Sequence, residues 1–156
     1  PALLDATGCR VVTSAAGAKA IRRDCSGARI VTIADLEQLE QPGLKALATP
    51  GRDLTSVAYY FQAADEQVLV TGEIPLEISD AELQHLLVDG EPRGWNLAAL
   101  QDSLLALERL RPKLWLAAHP FYGRNANLYD EEWGSVLSSS RRAVRQLRRV
   151  FPDNRH

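Results

Sequence analysis

A continuous apolar run, VLVTG at residues 68–72, constrains the fold of this chain more than any other feature. A strand that is apolar on both of its faces is typical of the centre of a sheet that is covered on both sides. The pattern at 96–111, with leucines three and four residues apart, predicts the clearest amphipathic helix. Further helical patterns occupy 77–90 and 130–151. We therefore expect an α/β (α+β) chain in which helices cover a sheet.

The remaining elements are predicted from shorter patterns of β-branched, aromatic or alternating residues. Strands are predicted at 9–14, 28–33, 44–50, 56–63 and 113–119, with a weak helix at 15–24. Residues 34–41 are interpreted as a polar turn or helical turn, and 120–128 as a loop. Ser79 and Asn96 are the predicted N-caps of the two helices that follow them. In the strand at 44–50, the alternation predicts that Leu44, Ala46 and Ala48 share one face. In the last helix, the residues predicted to face inward are Val136, Leu137, Val144, Leu147 and Val150.

Length and charge exclude several classes of function. A chain of 156 residues indicates a single domain, 1–156. The net charge of -2 disfavours nucleic-acid and membrane partners, and no apolar run approaches the ~18 residues of a membrane span. The arginine-rich helix 141–149 lacks interleaved aromatic residues, so it is interpreted as a solvated helix end. No signal peptide opens the sequence, which favours a cytoplasmic protein. Cys9 and Cys25 are interpreted as reduced thiols, with a single bridge between them as the alternative.

Four polar residues directly follow predicted strand ends. Arg52 and Asp53 follow the strand that begins at residue 44. Glu73 ends the apolar run, and His119 ends the strand after the leucine-rich helix. Hydrolytic metal sites in α/β proteins place their ligands in such positions, because the strand fixes the ligand and the loop leaves room for substrate. The sequence therefore predicts a site where the loops that follow these three strands meet.

Three segments, in this order, resemble the metal-binding segments of metallo-β-lactamase-fold hydrolases. TPGRDLTSVAYYF at 49–61 resembles the segment of the third metal ligand, whose usual form is Thr-Pro-Gly-His-Thr before an aromatic strand. VLVTGEIP at 68–75 resembles the apolar strand that ends in Thr-Gly-Asp, and RPKLWLAAHP at 111–120 resembles the strand before the final His. The resemblance covers nearly the whole chain. It implies the second half of an αβ/βα sandwich, the part that follows the first metal motif of the family.

The resemblance also implies zinc, which in the family activates a water molecule for hydrolysis. The first metal motif, His-x-His-x-Asp-His, is absent, and the resemblance places it before Pro1. Arg52 stands at the position of the third-ligand His, and Glu73 at that of the metal-bridging Asp. Only His119 is unchanged. Glu73 and His119 are thus interpreted as remnant metal ligands, and this set is too small to hold zinc, which needs at least three protein ligands.

The substitution at position 52 changes the charge of the predicted site. A guanidinium is always protonated and cannot ligate a metal. We hypothesise that Arg52 pairs with Glu73 and replaces the charge of the metal; the alternative is a solvated turn residue. Asp53 is predicted to accept backbone hydrogen bonds in the turn, in preference to a ligand role.

Three functions remain open from the sequence. The resemblance implies a zinc-dependent hydrolase, truncated and inactive or impaired as it stands. The substitutions also fit a non-catalytic binding or scaffolding domain with an Arg52–Glu73 ion pair. Half of a sandwich would expose one face of its sheet, so an assembly subunit is the third function, with an N-terminal half or a homo-oligomer covering that face. Trp95, Trp115 and Trp133 are predicted to pack in the core and against loops, in preference to lining a pocket for an apolar substrate.

Overall fold

The structure is a computed structural model of the 156-residue chain. It describes residues 6–33, 38–41, 43–72, 74, 78, 80–89, 94–118, 127–129 and 132–152. These residues form eight strands and four helices. In chain order they are β1 (Arg10–Ser14), α1 (Ala15–Asp24), β2 (Arg29–Ile33), β3 (Gln38–Gln41), β4 (Leu44–Ala48), β5 (Val57–Ala63), β6 (Glu66–Val70), α2 (Asp80–Asp89), α3 (Leu97–Leu110), β7 (Leu114–Leu116), β8 (Asn127–Tyr129) and α4 (Glu132–Val150). Within these residues, no helix is both long and apolar enough to cross a bilayer.

The strands form two sheets. The larger has six strands in the order β3-β4-β5-β6-β7-β8. Its neighbouring strands are antiparallel except β6 and β7, which are parallel and are connected through α2 and α3. The smaller sheet is the parallel pair β1–β2, connected through α1. The apolar run therefore forms a strand inside the larger sheet, as the sequence predicts.

One face of the six-stranded sheet, the helix face, packs against α3 and α4. Its buried residues come from five strands: Leu47, Ala58, Leu69, Trp115 and Leu128. Helix α3 contributes Leu97, Leu100, Leu104 and Leu107 to the same core, and α4 contributes Val136, Leu137, Ala143, Val144 and Leu147. The two helices are antiparallel and are joined by side-chain hydrogen bonds from Arg141 to Glu108 and from Arg148 to Gln101, each 2.6 Å long. Most of the buried apolar surface is therefore in this layer.

The opposite face of the sheet, the second face, carries the β1–β2 pair over part of its area. Ile33 packs there with Ala46 and Ala48 of β4, and Val12, Val57 and Tyr59 border this smaller core. Ser14 begins α1 as its N-cap, since its Oγ accepts a hydrogen bond from Gly17 N. Ser14 Oγ also donates to the carbonyl of Leu54, which ties α1 to the loop after β4.

Most elements agree with the sequence patterns. The N-cap of α3 is confirmed, because Asn96 Oδ1 accepts a hydrogen bond from Ala99 N at 2.9 Å. Helix α2 begins at Asp80, but the predicted cap Ser79 lies outside the described residues. Leu44, Ala46 and Ala48 share one face of β4 as predicted. Ala46 and Ala48 are buried on that face and Leu47 on the other, so this part of β4 is covered on both sides.

Three predictions of element or burial are wrong. Residues 38–41 form β3, an edge strand that pairs with β4 across a tight turn at Gly43, where the sequence suggested a turn or helical turn. Residues 127–129 form β8 at the other edge of the sheet, whereas the sequence predicts a loop over 120–128. Short edge strands form by backbone pairing, without the apolar pattern that sequence rules detect. Val150, predicted to face inward, is 53% exposed, because it lies at the end of its helix beyond the covered area.

Candidate functional site

The turn after β4 is held against the start of helix α3 by backbone groups. Thr49 N donates to Ser56 O at 2.9 Å, which closes the loop between β4 and β5. The carbonyl of Pro50 accepts from Ser103 Oγ at 2.7 Å. The carbonyl of Gly51 accepts from Asn96 N at 2.6 Å. The position of residue 52 is therefore set by the helix as well as by the strand.

Gly51 is required at this contact. Its φ is 148°, and a Cβ atom there would lie 2.3 Å from Leu100 Cα. No side chain fits at that distance, so only glycine lets the turn approach the helix this closely. The Pro-Gly dipeptide in the sequence thus reflects packing of the turn on α3.

The Arg52 side chain is partly buried and lies over an aromatic ring. Its Cζ atom is 5.8 Å from the ring centroid of Trp95, which directly precedes the N-cap of α3. This distance is within the range of a cation–π contact, worth about 0.5–1 kcal/mol at an exposed site and more when water is excluded. Arg52 is therefore a partly buried turn residue in contact with Trp95.

Asp53 is exposed and closes its own turn. Its Oδ1 accepts hydrogen bonds from Thr55 Oγ1 at 2.7 Å and from Thr55 N at 2.6 Å. Both bonds stabilise the carboxylate, and the bond from the Thr55 hydroxyl has the larger effect. They lower the pKa of Asp53 below its ordinary value. The predicted turn role of Asp53 is confirmed.

The ends of β6 and β7 lie side by side. Thr71 N donates to Leu116 O at 3.2 Å, and Ala118 N donates to Gly72 O at 2.8 Å. The buried Thr71 Oγ1 accepts from Trp115 Nε1 at 2.7 Å, which fastens β6 to the helix-face core. Glu73 and His119 are the next residues in sequence after Gly72 and Ala118, and both lie outside the described residues.

The topology brings three strand ends to one edge of the sheet. Strands β4 and β6 are both antiparallel to β5, and β7 is parallel to β6, so the three C-terminal ends point the same way. This is the convergence that the sequence predicts for the loops after these strands. The structure describes Arg52 and Asp53 at this edge, and the pairing of Arg52 with Glu73 stays a prediction.

The described residues at this edge do not fit a metal ion. Arg52 has no lone pair to donate, and one carboxylate oxygen of Asp53 already accepts two hydrogen bonds. Within the described part of the chain, no three His, Cys, Asp or Glu side chains are grouped so as to hold a metal. Cys9 and Cys25 are free thiols.

The sequence did not indicate the contact between Arg52 and Trp95. The two residues are far apart along the chain, and the sequence predicts only core and loop packing for Trp95, Trp115 and Trp133. That packing is confirmed, since Trp115 is buried in the helix-face core and both Trp95 and Trp133 pack against it, with 6.3 Å between the ring centroids of Trp115 and Trp133. The sequence feature that could have indicated this contact is the position of Trp95 one residue before a helix cap, because the Pro-Gly turn packs on the start of that helix.

Comparison with known proteins identifies the fold of this chain. No protein-family model and no curated protein sequence matches this chain. Several solved structures match it in shape. The metallo-β-lactamase SMB-1 bound to 2-mercaptoethanesulfonate has a TM-score of 0.58 at 19% identity, over 93% of this chain and 67% of that chain. The apo chemotaxis sensor ODP from T. denticola has a TM-score of 0.57 at 15% identity, over 85% of this chain and 58% of that chain.

A metallo-β-lactamase from Cronobacter sakazakii gives a TM-score of 0.56 at 16% identity, over 97% of this chain and 63% of that chain. The chain thus spans about three fifths to two thirds of the length of these three solved structures. Sequence identities this low carry no information about activity, but the agreement in shape extends over most of this chain. These comparisons show that the chain has the metallo-β-lactamase fold.

Proposed function

We propose that this chain is a hydrolase-like domain of the metallo-β-lactamase fold in which metal-dependent hydrolysis is impaired. The observation that carries the proposal is the Arg52 guanidinium, seated over Trp95 in the turn after β4. The resemblance of the TPGRD segment assigns a metal-binding His to this position in the family. A permanent cation there repels Zn²⁺ and removes one ligand at the same time.

In this proposal the charge of Arg52 takes the place of a metal charge, and Glu73 is its partner. Glu has one methylene more than the Asp that the resemblance places there, so its carboxylate reaches further toward a guanidinium. An Arg52–Glu73 separation above about 4 Å between nitrogen and oxygen atoms, in a crystal structure, would contradict this pairing. His119 would then lie at the same edge of the sheet, with too few other ligands beside it to hold a metal ion.

Bound-metal content is the direct test. Zinc and iron are measured by elemental mass spectrometry on the wild-type chain and on Arg52→His, after loading with each metal and removal of the excess. Arg23→His is the matched control, because it adds a histidine at an exposed position of α1, where the Arg23 side chain is 79% exposed. We expect less than about 0.1 metal ion per chain in the wild type and the control, and a clear increase in Arg52→His, which would have three ligands.

The outcomes separate the proposals. One or more metal ions per wild-type chain would overturn the impaired site, and the chain would then be assayed as a hydrolase. An increase confined to Arg52→His supports a substituted metal position. The second candidate is a non-catalytic binding domain, which is favoured by the way α3 and Trp95 hold the Arg52 guanidinium in place. That candidate is supported if neither the wild type nor Arg52→His binds metal, since the remaining residues then form no metal site at all.

A further inference from the structure

The second half of helix α4 carries five arginines and no acidic residue. They are Arg141, Arg142, Arg145, Arg148 and Arg149. A helix turns about 100° per residue, so Arg142, Arg145 and Arg149 project within about 60° of one another. All three are exposed. They span about 10 Å along the helix axis, and we call these three residues the arginine face.

Carboxylates from the two neighbouring helices border this face. On the side of α3, Arg141 Nη1 donates to Glu108 Oε2 at 2.6 Å. On the side of α2, Arg142 lies 3.8 Å from Asp80, and the two side chains are 63% and 91% exposed. An ion pair as long and as exposed as the second contributes little stability. The arginine face therefore has a narrow acidic border but keeps most of its positive charge.

The arginines repel one another along the helix. Arg145 has four arginines three or four residues away, which are Arg141, Arg142, Arg148 and Arg149. Like charges at these spacings are neighbours on the helix surface and destabilise the helix. Over the ranges that the structure describes, neither Arg145 nor Arg149 has an ion pair that would offset this repulsion.

The helix dipole explains only part of this cluster. It favours cations in the last turn, which contains Arg148 and Arg149, and its effect falls off within that turn. Arg142 and Arg145 lie further from the end of the helix. All five basic residues of α4 are arginine and none is lysine. The planar guanidinium matches a carboxylate with two parallel hydrogen bonds, so carboxylates from outside the chain would relieve the repulsion at Arg145.

We propose that the arginine face binds an acidic helix of a partner protein, whose carboxylates repeat at three- and four-residue spacing. A helix laid along α4 presents such carboxylates over the same length of about 10 Å, so each arginine of the face meets one. The face and its acidic border together favour a short anionic segment.

The charge of the rest of the chain distinguishes this partner from a nucleic acid. The chain has 18 Lys and Arg and 20 Asp and Glu residues, and residues 141–156 contain six of the arginines and one of the acids. The surroundings of the face are therefore acidic. A nucleic acid carries phosphates along its whole length, so it would extend beyond the face onto this acidic surface.

Fluorescence anisotropy of a labelled peptide tests the proposal. The probe is a designed helical peptide of about 20 residues with glutamates at three- and four-residue spacing along one face. The comparison peptide has the same composition with its glutamates distributed around the helix. We expect a dissociation constant of about 10–100 µM for the probe at roughly 20 mM salt, and at least about tenfold weaker binding at roughly 300 mM salt. The comparison peptide should bind at least about fivefold more weakly than the probe.

The double variant Arg145→Gln, Arg149→Gln should weaken binding of the probe about tenfold. It also removes like-charge neighbours, so its thermal unfolding by circular dichroism should occur at the same temperature as in the wild type or higher. The matched control is Arg22→Gln, Arg23→Gln, because it changes the net charge equally at two exposed positions of α1. This control should bind the probe within about twofold of the wild type.

Four results would overturn the proposal. The first is no binding of the probe by the wild-type chain up to about 500 µM at low salt. The second is equal binding of the two peptides, and the third is equal weakening in the control, since net charge and not the face would then attract the peptide. The fourth is tighter binding of a DNA duplex of about 20 base pairs that is lost in the Arg145 and Arg149 variant, since the partner would then be a nucleic acid. None of these variants alters the edge that carries Arg52, so the test is independent of metal binding.

Discussion

The contact between Gly51 and helix α3 can be tested by replacing the glycine with alanine. A Cβ atom at position 51 would lie 2.3 Å from Leu100 Cα, 2.4 Å from Leu100 Cβ and 2.6 Å from Leu100 N. Two of these are backbone atoms of a helix and cannot rotate away. The turn and the helix would therefore have to separate, which would lengthen the 2.6 Å hydrogen bond from Asn96 N to Gly51 O.

The expected loss of stability has two parts. Forcing an extra methyl group into a packed contact costs about 1–3 kcal/mol. The φ of 148° at Gly51 is a conformation that residues with a Cβ adopt at a cost of order 1–3 kcal/mol. Together these lower the free energy of unfolding by about 2–6 kcal/mol. A domain of this size loses about 2–4 °C of Tm per kcal/mol, so Tm should fall by roughly 4–24 °C.

Thermal unfolding followed by circular dichroism measures this effect. Gly134→Ala is the control, because Gly134 lies in α4 and no described atom is within 4 Å of a Cβ added there. Alanine is the better helix former, so the control should be as stable as the wild type or up to about 1 kcal/mol more stable. If the Tm of Gly51→Ala stays within about 2 °C of the wild type, the turn is not packed on α3 as the structure describes.

Two further predictions concern hydrogen bonds at the same edge of the sheet. The Thr55 hydroxyl is the main cause of the lowered pKa of Asp53. The Asp53 carboxylate therefore contributes its full stabilisation above pH 3.8, its ordinary pKa, and loses it as the pH falls through the lower pKa of the folded chain. Thr55→Val should raise this pKa toward 3.8 in an NMR titration, and an unchanged value would contradict the assignment. The buried bond from Trp115 Nε1 to Thr71 Oγ1 should give a coupling of about 1 kcal/mol in a double-mutant cycle of Trp115→Phe and Thr71→Val, measured by denaturant unfolding. A coupling near zero would mean that the bond contributes no net stability.

Sequence patterns predicted the elements whose signals are local. Helix α3 has its leucines at helical spacing and its cap at Asn96, and both signals act within a few residues. Strand β6 was predictable because an apolar run is visible in the sequence without knowing which strands lie beside it. Strand β3 was missed, because its pairing with β4 comes from the tight turn at Gly43 and not from side-chain pattern.

The candidate site was only partly predictable, for a related reason. The position of Arg52 and the turn role of Asp53 follow from a short motif and a local hydrogen bond. The contact of Arg52 with Trp95 depends on how α3 packs on the sheet, and no local rule contains that information. The partnership of Arg52 with Glu73 is likewise a tertiary relation, and it stays a prediction.

The turn that carries position 52 is held by main-chain groups that are the same whichever side chain stands at that position. The turn is fixed by the carbonyls of Pro50 and Gly51, which accept hydrogen bonds from Ser103 and Asn96 of the α3 region. The edge itself is set by backbone pairing of β4, β5, β6 and β7. On the proposal above, an arginine therefore stands at the position of a metal ligand without removing the backbone bonds that hold the turn. Arg52→His should therefore keep the turn folded, because these backbone bonds remain in place. It loses the contact with Trp95, worth about 0.5–1 kcal/mol, together with the other interactions of the guanidinium, so circular dichroism of the variant is compared with that of the wild type before metal content.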